Sequence, residues 1–236
     1  MTRENFTSLN VIIDASGSMS SLCNDTIGSF NTYLKDQKAF PGEASLTVVT
    51  FNDHVHVTHD FVKIASVNDL STQTYSPSGN TALLDAMGIT IDKVGQRLAN
   101  MQEEDRPSKV LFLIITDGFE NASFKYTKSQ IKSMVEHQQQ VYSWSFVFMG
   151  ANIDAITAGT SLGISAANSK AYAATKGGTK SLYSSVSSNT TAYRSSGSSV
   201  SQDFFGQTGI TPTSPVAPAT PVTPTTPSTG NGSGTK

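Results

Sequence analysis

Apolar positions along the chain recur with two periods that alternate. Ser8–Asp14 reads as a strand ending on an acid. Cys23, Ile27, Phe30 and Leu34 then fall four, three and four apart, which is one face of a helix. Ser45–Phe51 and Val55–Val62 are β-rich runs separated by Asn52-Asp53-His54, a hairpin signal. Leu83, Met87, Ile91, Val94 and Leu98 mark a second amphipathic helix. Val110–Ile115 is continuously apolar, as expected of a strand covered on both faces. Thr127 and Gln130 form a T-x-x-Q capping box ahead of Ile131, Met134 and Val135. Val141–Met149 reads as a strand, Asp154–Gly159 as a short helix, and Lys170–Ala174 as a last strand. Leu182, Val186 and Tyr193 predict a final helix. This alternation predicts an α/β, Rossmann-like three-layer sandwich. Its central sheet is mostly parallel, the early hairpin adds an antiparallel edge strand, and helices cover both faces.

The pattern stops near residue 195. Residues 196–236 are rich in Ser, Thr and Pro, and almost no large apolar side chain occurs among them. Such a segment cannot bury enough surface to offset its ordering entropy, so a disordered tail is expected after a domain spanning 1–195. Pro212, Pro215, Pro218, Pro221, Pro224 and Pro227 recur every three residues, the repeat of a polyproline II helix. That spacing suits an extended spacer, or a docking segment for a proline-binding partner. Phe204 and Phe205 are the apolar spot before it, fit either to tuck back on the domain or to serve as a short contact motif.

Composition removes several function classes. Charged residues make up 14% of the 236, the formal net charge is −2, and no basic patch occurs, so nucleic-acid binding has no electrostatic support. No apolar run is long enough to cross a membrane, and the N-terminal stretch does not read as a signal peptide. One cysteine, Cys23, excludes an intramolecular disulfide and reads as a core residue. A cytoplasmic protein is expected on these grounds.

The candidate chemistry lies where strands are predicted to end. Asp14, Ser16 and Ser18 follow the first strand. Thr81, at the predicted start of the second helix, lies in "SPSGNTALLDA", and Asp117 lies in "TDGFEN" after the long apolar run. Three hydroxyls and two carboxylates without nearby cysteine or histidine suit a hard cation such as Mg²⁺ or Mn²⁺, and they leave a coordination position open. His54 and His56 alternate with valines and read as a solvated edge-strand face, not as a zinc site. Enzyme motifs are missing. Ser16 stands where an aspartate-nucleophile phosphatase needs its second acid, and no G-x-S-x-G, P-loop or G-x-G-x-x-G occurs.

D-x-S-x-S at Asp14–Ser18, the lone threonine of G-N-T at Thr81 and the T-D-G aspartate at Asp117 resemble the metal-ion-dependent adhesion site of von Willebrand factor A domains. The resemblance covers about residues 6–194. "GNTALLDA", "LIITDGFEN" and "FVFMGANIDA" resemble in particular the small, single-domain, intracellular members of bacteria and phages. The resemblance implies that Ser16 and Ser18 bind the metal directly, and Thr81 directly or through water. It implies that Asp14 and Asp117 act mostly through water, and that a protein partner supplies an Asp or Glu carboxylate. Asn80, Asp85, Glu120 and Asn121 flank these positions, as supporting or rim residues or as plain helix-start and loop acceptors. A non-enzymatic, metal-dependent protein-binding module follows. The alternative is a structural or virion-associated scaffold that works through its tail.

Overall fold

The computed structural model describes residues 2–197 and 203–206. In chain order its elements are β1 (Arg3–Asp14), α1 (Cys23–Ala39), β2 (Glu43–Phe51), β3 (Val55–Lys63), α2 (Leu83–Asn100) and β4 (Pro107–Thr116). Then come α3 (Lys128–Tyr142), β5 (Ser145–Ala151), α4 (Ala155–Ser161), β6 (Ser169–Tyr172) and α5 (Lys176–Ser195). The strands form one sheet in the order β3-β2-β1-β4-β5-β6, parallel throughout except for the antiparallel β2–β3 pair. This is the predicted α/β sandwich.

Alternation along each buried strand feeds two cores. Leu9, Val11 and Ile13 of β1 and Leu111, Leu113 and Ile115 of β4 point to one face, where Phe30, Tyr33 and Leu34 of α1 and Leu182 and Val186 of α5 cover them. Ile12, Phe112, Ile114, Phe146 and Phe148 point to the other face, under α2, α3 and α4. The two-sided apolar code of Val110–Ile115 exists because β4 has a helical layer on each face.

β3 carries the departures from regularity. Two register shifts interrupt its pairing with β2, and Phe61 adopts φ 55°. Bulges of this kind bend an edge strand away from further pairing. His54 and His56 lie exposed, their rings edge to face at 6.3 Å. Among the described residues no group of three or more His, Cys, Asp or Glu could hold a metal.

Three local readings are corrected. The predicted strand Val141–Met149 begins only at Ser145, because α3 continues through Tyr142 and stops at Ser143 in the left-handed region, φ 56°. Thr81 does not cap α2; Ala82 holds that position with no side-chain bond. Cys23 is half-buried, packed against the α1-side core, with Sγ 3.7 Å from the Tyr75 carbonyl. The capping box of Thr127 and Gln130 forms as read.

The far end of α5 is tied down strongly. Lys109 donates to the carbonyls of Tyr193 (3.1 Å), Arg194 (2.8 Å) and Ser196, placing a cation on the negative end of the helix dipole. Arg194, itself buried, donates to the Gln37 carbonyl at 2.7 Å. Phe204 is fully buried among the core residues of the α1–α5 layer, and its N–H donates to Asn168 Oδ1 at 2.8 Å. The six regularly spaced prolines lie outside the described residues. No helix among the described residues is long and apolar enough to cross a membrane.

Candidate metal centre

β1 and β4 are neighbours in the middle of the sheet, and the chain leaves them toward opposite faces, into α1 and α3. Diverging connections open a crevice at the carboxyl ends of such strands, the place where open α/β sheets hold ligands. Asp14 ends β1, and Asp117 follows directly on β4.

Asp14 is fully buried and spoken for on every side. Oδ1 accepts from the Ser16 N–H at 2.7 Å, and Oδ2 accepts from the Thr116 hydroxyl at 2.6 Å. Its carbonyl accepts from the Tyr75 hydroxyl at 2.7 Å. These bonds turn the Ser16 and Ser18 hydroxyls to within 3.0 Å of each other, and Ser18 donates to Asp117 Oδ1 at 2.6 Å. The loop leading to Thr81 is laced to the one after β1: the Gly17 N–H donates to the Gly79 carbonyl at 3.0 Å, and Ser78 N–H to the Ala15 carbonyl at 2.8 Å. Four of the five predicted oxygen donors are thus linked in one chain of contacts. Thr81 closes the set through Gly118, where an added Cβ would lie 3.8 Å from Thr81 Oγ1 and 3.9 Å from Ser18 Oγ.

The flanking residues hold the loops. Asn121 Oδ1 accepts from Thr81 N–H at 2.9 Å, and Asn121 N–H donates to the Thr81 carbonyl at 3.1 Å. Glu120 accepts from the Leu84 N–H in the first turn of α2, and from Ala122, Ser123 and the Ser123 hydroxyl. Asp85 is buried and accepts from the N–H groups of Phe124, Lys125 and Tyr126. Asn80 binds Asp53 in the β2–β3 turn through both its side chain and its N–H. Among the described residues, none of these four side chains bonds the hydroxyl of Ser16, Ser18 or Thr81. Their role is to fix the Thr81 and Asp117 loops against each other. Thr116 and Tyr75 were not among the residues singled out by sequence. Thr116 carried a signal, being the hydroxyl one step past the Ile13–Ile115 pair and so opposite Asp14.

The oxygen set fits a hard divalent cation. An octahedral Mg²⁺ site has adjacent ligand oxygens about 3 Å apart, from bond lengths of roughly 2.1 Å, and the Ser16 and Ser18 hydroxyls stand 3.0 Å apart. Gly118, with no side chain, leaves the space beside Thr81 and Ser18 clear. Ser18 is exposed while Asp14, Ser16, Thr81 and Asp117 are buried, so the cluster opens to solvent on one side. The electrostatics agree. Both carboxylates are held by neutral donors, and burial, with the Asp14 charge adding to it, pushes the Asp117 carboxyl above the usual carboxylate range against the Ser18 hydrogen bond. Two buried carboxylates facing neutral partners are costly, and a bound cation offsets that cost.

One consequence is measurable without metal. Asp117→Asn keeps an oxygen acceptor for Ser18 and removes a buried charge. In chelator at neutral pH it is expected to unfold at a urea midpoint equal to or above that of wild type. A clear drop in midpoint refutes the reading that the charge is carried at a cost to stability.

No family model matches the sequence, and no curated relative matches it. Solved structures do match, and the fold is that of a von Willebrand factor type A domain. A von Willebrand factor type A protein from Catenulispora acidiphila aligns over 80% of this chain at 12% identity with a TM-score of 0.50. A mutant of the PilB minor pilin from Streptococcus sanguinis aligns over 80% at 13% identity and a TM-score of 0.55. Proximal thread matrix protein 1 from the mussel byssus aligns over 78% at 14% identity and 0.54. The alignments span 43%, 62% and 46% of those chains, respectively.

Proposed function

We propose that this chain is a metal-dependent, non-enzymatic protein-binding module. Ser16, Ser18 and Thr81 would hold Mg²⁺ or Mn²⁺, with Asp14 and Asp117 orienting the hydroxyls and balancing the charge. When bound, the cation supplies an electrophilic seat for a carboxylate of a partner protein. The observation that carries this reading is the hydroxyl cluster of Ser16 and Ser18, set against two buried carboxylates that have only neutral partners. Asp14 has both oxygens engaged within the protein, so it is left with a positioning role, and the exposed side of Ser18 is where a ligand would approach. The fold neighbours include a minor pilin and a byssal matrix protein, which accords with a binding or structural role. A free, half-buried Cys23 thiol suits a reducing, cytoplasmic setting.

The test is a peptide array carrying one fixed Asp or Glu, beside the same array with Asn or Gln. Binding in Mn²⁺ should require the acid, vanish in EDTA, and vanish in Ser16→Ala/Ser18→Ala. Equal capture of acid and amide peptides, or capture that survives EDTA, overturns the reading.

A further inference from the structure

Where the parallel strands begin, at the end of the sheet opposite the candidate metal centre, lies a groove of about 570 Å³. The second half of α2, the start of β4 and the end of α3 form its walls. Trp144, Tyr142 and His137 give it an aromatic lining. Trp144 is 5% exposed and stacks on Phe112 at 5.5 Å, and its indole N–H has no acceptor among the described residues. Gln138, also in the lining, has its Oε1 buried without a donor. Gly95 of α2 leaves the edge of the indole uncovered, since a Cβ there would lie 3.9 Å from Trp144 Cη2. Polar atoms left unpaired in so enclosed a place are unfavourable, and a ligand that bonds them offsets this.

Charge, chemistry and reach say what belongs there. The lining holds one acid and one arginine, and both are engaged: Asp92 accepts from the Tyr126 hydroxyl at 2.6 Å, and Arg106 donates to the carbonyls of Met101 and Ala99. A neutral occupant therefore fits, and residues 207–235 carry no charged side chain. Proline-rich segments dock in aromatic-lined grooves, because a polyproline II chain offers free carbonyls and flat rings. The repeat between Pro212 and Pro227 also supplies Thr and Ser hydroxyls. Its root is held on the domain by Phe204, which is bonded to Asn168 just before β6. Ser169 pairs with Phe148, so Asn168 stands level with Val147, three residues beyond Trp144. That is about 10 Å along the strand, and crossing from one face of the sheet to the other adds a layer spacing of about 10 Å. Pro215 and Pro218 follow Gly206 by nine and twelve residues, a reach of roughly 28–37 Å at the polyproline II rise of about 3.1 Å.

We propose that this groove binds the chain's own proline repeat. Proline rings pack on Trp144 and Tyr142, a repeat carbonyl accepts from the Trp144 indole N–H, and a Thr or Ser hydroxyl donates to Gln138 Oε1. The proline-binding partner expected for the tail is then the domain itself.

The probe is a labelled synthetic peptide of residues 210–229, titrated by fluorescence anisotropy in EDTA. It is added to the wild-type full chain and to a full-length variant with all six prolines from Pro212 to Pro227 replaced by Ser. A tethered segment has an effective concentration of the order of 1 mM, so with a dissociation constant of about 10–100 µM the occupied wild-type groove should bind the peptide roughly 10- to 100-fold more weakly than the variant. Trp144 is the one tryptophan of the chain, and acrylamide should quench it more in the variant until peptide is added. Gly95→Leu, which fills the space beside the indole, and the exposed Tyr142→Ser should each abolish peptide binding to the proline-less chain. No binding to that chain overturns the groove as a proline site. Equal affinity for both chains overturns its occupation by the tail. Binding untouched by Gly95→Leu and Tyr142→Ser overturns the assignment to this groove. A wild-type chain that sediments as a dimer, beside a monomeric proline-less variant, overturns the intramolecular route and gives the repeat to a second copy.

Discussion

Adding Mg²⁺ or Mn²⁺ to chelated protein is expected to raise its unfolding temperature by about 5–10 °C at saturation, and Ser16→Ala/Ser18→Ala should show no such rise. The magnitude follows from linkage. A ligand that binds only the folded state stabilises it by about 2.7 kcal/mol at a hundred times its dissociation constant. In a domain of this size each kcal/mol moves the midpoint by roughly 2–4 °C. The double variant removes the two hydroxyls that stand 3.0 Å apart and breaks the 2.6 Å bond to Asp117. Losing those bonds costs about 0.5–1.5 kcal/mol each even without metal. The quantity to compare is therefore the metal-induced shift, not the starting temperature. A saturable shift of equal size in both proteins would place the cation elsewhere. No shift and no heat of binding in well-folded wild type would overturn the metal centre.

The reason to expect a sizeable effect is that the candidate site, without a cation, holds buried carboxylates on neutral partners alone. Asp14 and Asp117 are both buried, each held by neutral partners and linked through Ser16 and Ser18. The sheet topology puts both at the middle of the carboxyl edge, where the chain diverges and backbone cover is thinnest.

Much of this was legible in the sequence because it is local. The two-sided strand VLFLII, the helix stripe from Leu83 to Leu98 and the Thr127 capping box each carry their signal within a few residues. The five oxygen donors were legible because three short loops each end a predicted strand or begin a predicted helix. What escaped was nonlocal. The start of α2 is satisfied not by Thr81 but by Glu120 and Ser123, which are 36 and 38 residues from the N–H groups they accept from. No window around Thr81 contains that information. Thr116 lies just past the predicted strand Val110–Ile115, in the loop stretch TDGFEN, yet its hydroxyl fixes Asp14. The end of α3 was misplaced because Val141 and Tyr142 have strand-like propensity, while the helix runs on until Ser143 turns left-handed. Tertiary packing overrode local preference there.

Asp85→Ala is expected to lower stability by about 3 kcal/mol and to weaken cation binding as well, although Asp85 touches none of the five candidate donors. Its carboxylate accepts from Phe124 at 3.1 Å and from Lys125 and Tyr126 at 2.9 Å each. It also sits in the first turn of α2, where a negative charge meets the positive end of the helix dipole. A charged acceptor bonded to three N–H groups is worth more than three neutral bonds, and its loss leaves donors to be satisfied by water alone. The same loop carries Gly118, packs the Tyr126 ring directly against Gly88 of α2, and holds Thr81 through Asn121. Loosening it therefore moves Thr81 away from the Ser16–Ser18 pair. Asp85→Asn keeps one acceptor oxygen and should recover part of both losses. Urea unfolding in chelator reads the first effect and calorimetric Mn²⁺ titration of the folded variant reads the second. Wild-type stability in Asp85→Ala would mean that the three bonds do not organise the loop. Lost stability with unchanged Mn²⁺ affinity would mean that the loop does not position the metal centre, and Thr81 would have to be held by the β2–β3 turn instead.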